Sequence, residues 1–185
     1  HLAYGIPGFL ESDYEYTKII GRIYKRWQLG TLGWSRTTLE GGRVYGKLPY
    51  PLLIIHIGNE AWYYNDAAFN TMNFFEFLSD RYIQLFAEHH FDGLFFNRIP
   101  LLRRLKFREV VTFKAVAGDL DPKHSEELLL LPGMYTLSNG PFMEASAGIE
   151  NILKVLRVDV VWRLRYNDHP NTAPFAIRGK FVFNF

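Results

Sequence analysis

Hydrophobic and polar residues alternate along much of the chain, most regularly near its C-terminus. From 158 to 166 the even positions are apolar or aromatic, and the odd ones include Asp159 and Arg163. From 177 to 185 the odd positions are hydrophobic or glycine, and the even ones include Arg178. Because successive side chains of a β-strand point to opposite faces, both segments predict strands with one apolar face and one charged face.

The same alternation recurs, with more exceptions, over most of the remaining chain. These further segments lie at residues 17–28, 31–45, 52–64, 75–91, 104–117 and 134–147. The total is about eight strands. Many of them exceed the average of about 5–6 residues in soluble proteins, and they reach the roughly 9–11 residues that a membrane strand needs. The pattern therefore predicts an all-β fold, an antiparallel transmembrane β-barrel.

The connectors between these segments predict which loops share an end of the barrel. In bacterial barrels the C-terminus lies on the periplasmic side. Counting back from residue 185 places the connectors at 118–133 and 167–174 outside the cell. The connectors at 93–103 and 148–157 then lie on the periplasmic side. The 118–133 connector is rich in charged residues and is expected to form an exposed loop.

The composition narrows the class of protein further. The chain has 185 residues, of which 17% are aromatic and 22% charged, and it contains no cysteine. No apolar stretch is long enough for a membrane-spanning helix, and disulfides are excluded. A net charge of +2 without a long basic run gives no reason to expect a nucleic-acid partner. High aromatic content is typical of the girdles around membrane barrels.

Three alternating phenylalanines at the C-terminus form the strongest single motif. Phe181, Phe183 and Phe185 share one face of the last predicted strand, and Phe185 is the final residue. Outer-membrane proteins end in this way because their assembly machinery pairs with the last strand. The alternative is an apolar edge strand of a soluble protein, which charges or proline would normally protect. We therefore interpret the three residues as an assembly signal.

Motifs for catalysis or metal binding are weak. Gly41 to Lys47 resembles a phosphate-binding loop, but Leu48 replaces the required hydroxyl residue and prolines follow. His89 and His90 are adjacent in a predicted strand, so they point to opposite faces and cannot chelate one metal. No serine has a telling spacing from a histidine. We expect no enzyme activity, no metal and no cofactor.

Several passages resemble a known family. They are Glu76–Arg81, His89–Gly93, Asn97–Glu109, Gly148–Ile152 and Val161–Arg163. Together they resemble the C-terminal barrel of the DUF5686 family of Bacteroidota, over about residues 30–185. Proteins of this family typically carry a carboxypeptidase-regulatory-like domain ahead of a barrel that is similar to the Omp85 (surface antigen) superfamily.

The resemblance implies that the chain is the second half of a barrel of about sixteen strands. Residues 1–16 would be a lead-in segment, and 17–185 would form one domain of a longer protein. A wide lumen would also relieve the excess of cations on the inner face, which a dry core would leave unpaired. The Omp85 proteins that insert or export proteins usually carry an Arg-Gly motif in a long inward loop. The corresponding connector here, Asn65–Asn73, is short and lacks it.

Charged residues of the predicted inner faces form a candidate lumen network. Its members are Glu76, Asp80, Glu88, Arg104, Arg108, Asp159, Arg163, Arg165 and Arg178. Such a network could control selectivity or gating, but we favour salt bridges that hold the strands in register. Arg81 would then face outward, which is acceptable at a bulge or at the height of the membrane interface.

These observations predict an outer-membrane protein with a structural, conduit or envelope-biogenesis role. The first alternative is Omp85-like insertion or translocation of proteins, the second a barrel enzyme acting on lipids, and the third a soluble ligand-binding barrel. The expected partners are the lipopolysaccharide and phospholipid of the outer membrane and its assembly machinery. Other envelope proteins are further candidates.

Overall fold

Ten β-strands and one short α-helix make up the regular structure of the residues that the structure describes. The computed structural model describes residues 2–5, 16–46, 48, 50–124 and 130–182. The strands are β1 (Leu2–Gly5), β2 (Tyr16–Gln28), β3 (Trp34–Tyr45), β4 (Ile54–Ile55), β5 (Leu78–Ser79), β6 (Arg81–His90), β7 (Arg108–Asp119), β8 (Phe142–Ile152), β9 (Leu156–Arg163) and β10 (Phe175–Phe181). Helix α1 spans Pro100–Leu105, and 3₁₀ turns lie at Gly30–Leu32, Tyr50–Leu52, Phe96–Arg98 and Pro122–His124.

Eight strands form one antiparallel sheet, and the two shortest form a separate pair. The order in the sheet is β1-β2-β3-β6-β7-β8-β9-β10, and β4 pairs with β5. The predicted all-β class and the antiparallel sheet of eight strands are therefore confirmed. The sheet is open: within the described residues β1 and β10 are its edges, and it does not close into a barrel. β1 lies in the segment predicted as a lead-in.

The two faces of the sheet differ in chemistry. The cross-strand register aligns Tyr24, Thr38, Phe86, Lys114, Glu144 and Arg163 in one row, which lies on the inner, largely buried face. The neighbouring row on the outer face contains Phe113, Trp162 and Phe175, which are exposed. Charged side chains are thus buried inside, and apolar side chains face outward. This is the inverse of a soluble protein.

The segment between β3 and β6 was predicted wrongly. Residues 52–64 were expected to form a strand of the sheet, and Asn65–Asn73 was expected to be a short connector. Instead the described residues of the stretch 46–80, here called the insert, fold back over the inner face, and the strands among them are β4 and β5. The apolar run that suggested a strand is buried because it packs against the sheet. Residues 104–107 also lie outside β7, at the end of α1.

The hydrophobic core lies between the insert and the inner face. One cluster joins Leu48, Leu53, Ile54 and Leu78 of the insert to Val44 of β3 and Met134. A second joins Phe69, Met72 and Phe77 to Val116 of β7, Leu137 and Phe142 of β8. The insert is therefore part of the folded structure and covers apolar surface that the sheet alone would expose.

The connectors are distributed unequally between the two ends of the sheet. The insert and the connectors at 120–124, 130–141 and 164–174 lie at one end, and those at 29–33, 91–107 and 153–155 lie at the other. Gly33 closes the β2–β3 turn with a φ of 90°, where a Cβ would collide with the carbonyl oxygen of His90. Among the described residues, no helix is long and apolar enough to cross a membrane.

Candidate functional site

The candidate site is the charged inner face together with the insert that covers it. One of its most enclosed contacts joins Arg163 of β9 to Glu76 of the insert, both almost fully buried. Arg163 Nη1 donates to Glu76 Oε2 at 3.1 Å and to the carbonyl oxygen of Thr71 at 2.8 Å, and Arg163 Nη2 donates to Glu76 Oε1. His169 Nδ1 lies 2.8 Å from Glu76 Oε1. This pairing satisfies an arginine that would otherwise be buried without a counter-charge.

A second contact is made by Lys114 of β7 and Glu144 of β8. The Lys114 ammonium donates to the carbonyl oxygens of Asn65 at 2.9 Å and Ala68 at 2.5 Å. Glu144 accepts from the backbone N–H groups of Asn70 and Thr71, both at 2.9 Å, and from the Thr71 hydroxyl at 2.8 Å. Each charge thus binds main-chain groups of the insert, and the two charges lie 3.9 Å apart.

Tyr64 of the insert lies between two buried cations. Lys114 Nζ and Arg157 Cζ are each 4.8 Å from the centre of its ring. Arg157 in turn donates to both carboxylate oxygens of Asp159, at 2.7 and 2.8 Å, and lies 3.3 Å from Glu88. Burial raises the pKa of the Tyr64 phenol, so it stays protonated over the physiological range. The ring therefore acts as a neutral aromatic contact for both cations.

The insert also reaches the edge strand β10. Arg178 donates to the carbonyl oxygens of Asn70 at 3.0 Å and Asn59 at 3.3 Å, and Lys180 pairs with Asp66 at 2.6 Å. Gly179 makes two backbone hydrogen bonds on its free side. Its N–H donates to the carbonyl of Trp62 at 3.1 Å, and its carbonyl accepts from the N–H of Tyr64 at 2.7 Å. The insert thereby occupies part of the free edge of the sheet.

Part of the inner face lies beyond these contacts, at the end of the sheet that carries the connectors 29–33, 91–107 and 153–155. His90 lies between two carboxylates there, with 2.5 Å to Glu88 and 3.0 Å to Glu150. Trp34 stacks on the His90 ring at 3.8 Å, and Arg36 donates to Glu88 at 2.9 Å. These contacts join strands β3, β6 and β8 and support the interpretation that charges hold the strands in register.

Two cavities remain around the insert. One of about 300 Å³ lies between the insert and strands β2, β3 and β6, with Arg36, Glu40 and Lys114 among its walls. The other, of about 710 Å³, opens at the end of the sheet that carries the insert, and it is lined by Asn73, Phe74 and Tyr135 among others. Neither is a continuous channel along the inner face, because the insert contacts β7, β8, β9 and β10.

Six of the nine predicted network residues lie within this arrangement. Glu88, Asp159, Arg163 and Arg178 are on the inner face, and Glu76 belongs to the insert rather than to a strand. Asp80, the last residue of the insert, is buried and accepts from the Asp121 N–H at 3.2 Å.

The other three network residues do not join it. Arg108 has the inner-face register of β7, opposite Glu150, but it lies at the exposed end of the strand and pairs with Asp92 at 3.4 Å. Arg104 and Arg165 were placed wrongly, because Arg104 is exposed in α1, and Arg165 lies after β9 and donates to the carbonyl oxygen of Asn139. These two residues lie outside the strands, where the alternation no longer applies.

The C-terminal motif is described only in part. Phe181 lies on the outer face and is exposed, and Phe183 and Phe185 lie outside the described residues. Arg81 begins β6, is about half exposed and pairs with Asp119 at the strand end. The outward position expected for Arg81 is therefore found at the end of a strand, where a charge is tolerated.

Several important residues were missed by the sequence analysis. Glu144 and Glu150 alternate with apolar residues in β8, so the period of two could have identified them as inward-facing. Arg157 was assigned to a connector, although it continues the alternation of β9. Asp66 and Tyr64 belong to the insert and carried no signal of this kind.

Two serine–histidine pairs are present. Ser35 Oγ lies 2.7 Å from His89 Nδ1, and Ser79 Oγ lies 3.0 Å from His56 Nε2. In neither pair does a carboxylate of the described residues hydrogen-bond to the other ring nitrogen, so the third group of a catalytic triad is lacking there. Burial lowers the pKa of His56 to about 4, which keeps this histidine neutral. The described residues contain no group of three or more side chains suited to a metal ion.

The fold and the inner face define an all-β protein with an antiparallel sheet, an apolar outer face and an inward-folded insert. Residues 1–129 match the C-terminal domain of DUF5686, which is described as a family of unknown function. The chain therefore belongs to the DUF5686 family, as the resemblance predicted, although the match covers the first two thirds of the chain rather than 30–185. No curated protein and no solved structure matches it.

Proposed function

We propose that this chain is part of the wall of an outer-membrane β-barrel, with a structural or envelope-biogenesis role. The observation that carries the proposal is the inverted distribution of side chains. Exposed apolar residues continue across the outer face from Ile23 of β2 to Ile177 of β10. Soluble proteins rarely expose so extended an apolar surface, whereas lipid covers it in a membrane barrel. The open sheet has edges at β1 and β10, and further strands of a larger barrel would pair with these edges where the insert does not already occupy β10.

The strand lengths support the same proposal. Strand β6 has 10 residues, β7 has 12 and β8 has 11. A tilted membrane strand needs about 9–11 residues, so these strands are long enough to cross the hydrocarbon layer. Arg81 and Asp119 pair at their ends rather than in the middle.

The insert favours a barrel that is closed to solutes over an open conduit. Polar contacts attach it to four consecutive strands, β7 to β10. Many of them involve buried charges, which are expensive to separate. A lumen occupied in this way would conduct poorly, as in barrels that are plugged by internal segments.

The experiment uses the full-length protein, expressed with its own leader and isolated from cell envelopes. We expect it in the outer-membrane fraction, with a heat-modifiable shift on gels that reports a folded barrel. Reconstituted in planar bilayers, it should give little conductance, and Glu76→Ala combined with Glu144→Ala should raise that conductance. Recovery in the soluble fraction would refute the membrane proposal. Large conductance of the unmodified protein would refute only the closed lumen.

Omp85-like insertion or translocation of proteins is a second candidate, and the insert itself favours it. A long connector that folds inward between the third and fourth strands of the sheet is the feature that the sequence analysis judged to be missing. The Arg-Gly motif is still absent, because residues 46–80 contain no arginine. Depleting the full-length protein and measuring the abundance of other outer-membrane proteins tests this candidate. Unchanged abundance would argue against it.

A further inference from the structure

The end of the sheet that carries the connectors 29–33, 91–107 and 153–155 has an unusual surface. Each of its three connectors exposes large apolar side chains. They are Leu29 and Leu32 in the β2–β3 turn, Phe95, Ile99, Leu101 and Leu105 in the 91–107 connector, and Leu153 in the β8–β9 turn. Leu153 is 84% and Leu101 is 71% exposed, and these are the two highest values among the large apolar residues described. Turns normally carry small or polar residues instead.

Basic side chains lie beside these apolar residues. Arg98, Arg103, Arg104 and Lys106 are exposed in the 91–107 connector, and Lys154 is exposed in the β8–β9 turn. Within the part of the chain that the structure describes, none of them has an ion pair. The acids at this end are already engaged: Asp92 pairs with Arg108, Glu109 accepts from the N–H groups of Phe95 and Phe96, and Glu150 contacts His90. The end therefore carries a local excess of uncompensated positive charge.

We propose that this end of the sheet is a lipid-binding surface for the phosphates of phospholipid headgroups. The cations of residues 98–106 contact the phosphates, and the neighbouring leucines enter the upper part of the acyl-chain layer. Exposed leucine next to arginine and lysine is the composition of segments that lie in a membrane interface. The surface is continuous with the apolar outer face through Val111 and Ile149, which are also exposed. The inference rests on the membrane location proposed above and adds to it a ligand and a position.

The opposite end differs in charge and provides a control. Its connectors contain Asp66 and Asp168, Asp119 ends β7 beside them, and Leu131 is exposed there with no basic residue among its described neighbours from 130 to 140. If apolar exposure alone determined contact with lipid, Leu131 and Leu101 would behave alike. The proposal requires them to differ, because Arg98, Arg103 and Arg104 lie close to Leu101 in the chain, whereas residues 130–140 around Leu131 contain no cation.

Single labels can test the position of this surface in vesicles, because the chain contains no cysteine. The full-length protein, freed of any other cysteine, is reconstituted with one fluorophore at Leu101→Cys, Phe113→Cys or Leu131→Cys. Lipids that carry a nitroxide near the headgroup should quench the label at 101 strongly and the label at 131 weakly. Lipids with a nitroxide deeper in the chain should quench the label at 113.

The outcomes separate this inference from the proposed function. Quenching at 113 without quenching at 101 would overturn the lipid-binding surface and leave the membrane barrel in place. The absence of quenching at 113 would overturn the barrel itself. Equal quenching at 101 and 131 would also overturn the inference, because contact would then not depend on the cations.

A charge comparison tests the phosphate contact. Nitroxide-labelled phosphatidylglycerol is titrated into neutral vesicles while the label at 101 is observed. Arg103→Gln with Arg104→Gln should raise the mole fraction needed for half-maximal quenching by at least about tenfold, because each interfacial cation contributes roughly 1 kcal/mol. Lys18→Gln with Arg43→Gln removes the same charge near the opposite end and should leave the titration unchanged. Equal effects of the two double variants would refute the local contact.

Discussion

The two faces of the sheet bury and expose opposite kinds of side chain, yet both are consistent with the same physical rules. On the inner face, Lys114, Arg157 and Arg163 are almost inaccessible to solvent, and each is matched by carboxylates or carbonyl groups. On the outer face, Ile83 and Trp162 are exposed without polar partners. The comparison teaches that charged side chains are buried in this protein where hydrogen-bonding partners surround them.

The largest expected effect comes from breaking the buried ion pair between Arg163 and Glu76. Arg163→Met removes the cation and leaves Glu76 buried, with only His169 and backbone groups near it. Loss of one partner of a buried pair costs about 3–5 kcal/mol, so the free energy of unfolding should fall by that amount. Urea titration of the folded full-length protein in vesicles measures it.

Arg81→Met provides the matched control for this change. Arg81 is solvent-exposed where it pairs with Asp119, so the midpoint of its urea titration should stay within error of the unmodified protein. Equal midpoints for the two variants would contradict the assignment of Arg163 and Glu76 as a central contact of the insert.

The next effect tests the outer face. Phe113→Arg places a charge on the exposed apolar side of β7. In a bilayer this should cost about 2–4 kcal/mol near the midplane, and the same substitution at Leu153, in the turn, should cost about 1 kcal/mol or less. Folding titrations in vesicles compare the two variants. If both substitutions are harmless, lipid does not cover the outer face.

A smaller effect is the contribution of His56 to the free energy of unfolding, which depends on pH. Because burial lowers the pKa of His56 to about 4 from an ordinary value of 6.5, the unfolded chain binds a proton that the folded chain excludes between these values. Stability is therefore retained above pH 6.5 and falls as the pH drops toward 4. By linkage, His56 should lower the free energy of unfolding by about 2 kcal/mol between pH 7 and pH 5.

Comparison with His56→Phe isolates this contribution, because other titrating groups are common to both proteins. Urea midpoints at several values between pH 7 and pH 5 should diverge, with the unmodified protein losing more stability. Parallel profiles would mean that His56 is protonated in the folded state or accessible to water.

The smallest effect concerns a single hydrogen bond between the insert and the sheet. Thr71→Val removes the hydroxyl that donates to Glu144 at 2.8 Å, while the Thr71 N–H still donates to the same carboxylate. A hydrogen bond to a charged group contributes about 1.5 kcal/mol or slightly more. Thr37→Val makes the same substitution on the outer face and should not lower the free energy of unfolding. If Thr37→Val lowered the free energy of unfolding more than Thr71→Val, the proposed contrast between the two faces would be wrong.

The contrast between the faces could be predicted from the sequence where strands are regular, and not elsewhere. In β9 and β10 the period of two gave the correct side for Asp159, Arg163 and Arg178, because pleating alone determines it. The insert was assigned as strand because residues 52–57 form an apolar run, which suits a buried loop as well as a strand. Its carbonyl groups bind Lys114 and Arg178, and every residue type has a carbonyl. No residue-type signal could therefore reveal these contacts.

The insert also couples distant parts of the chain during folding. Its partners lie far along the chain: Glu76 and Arg163 are separated by 87 positions, and Asn70 and Arg178 by 108. Contacts between residues so far apart close long loops, which costs conformational entropy. Docking of the insert and completion of the last two strands are consequently coupled, and a chain that lacks β9 and β10 would lack the arginines that bind the insert.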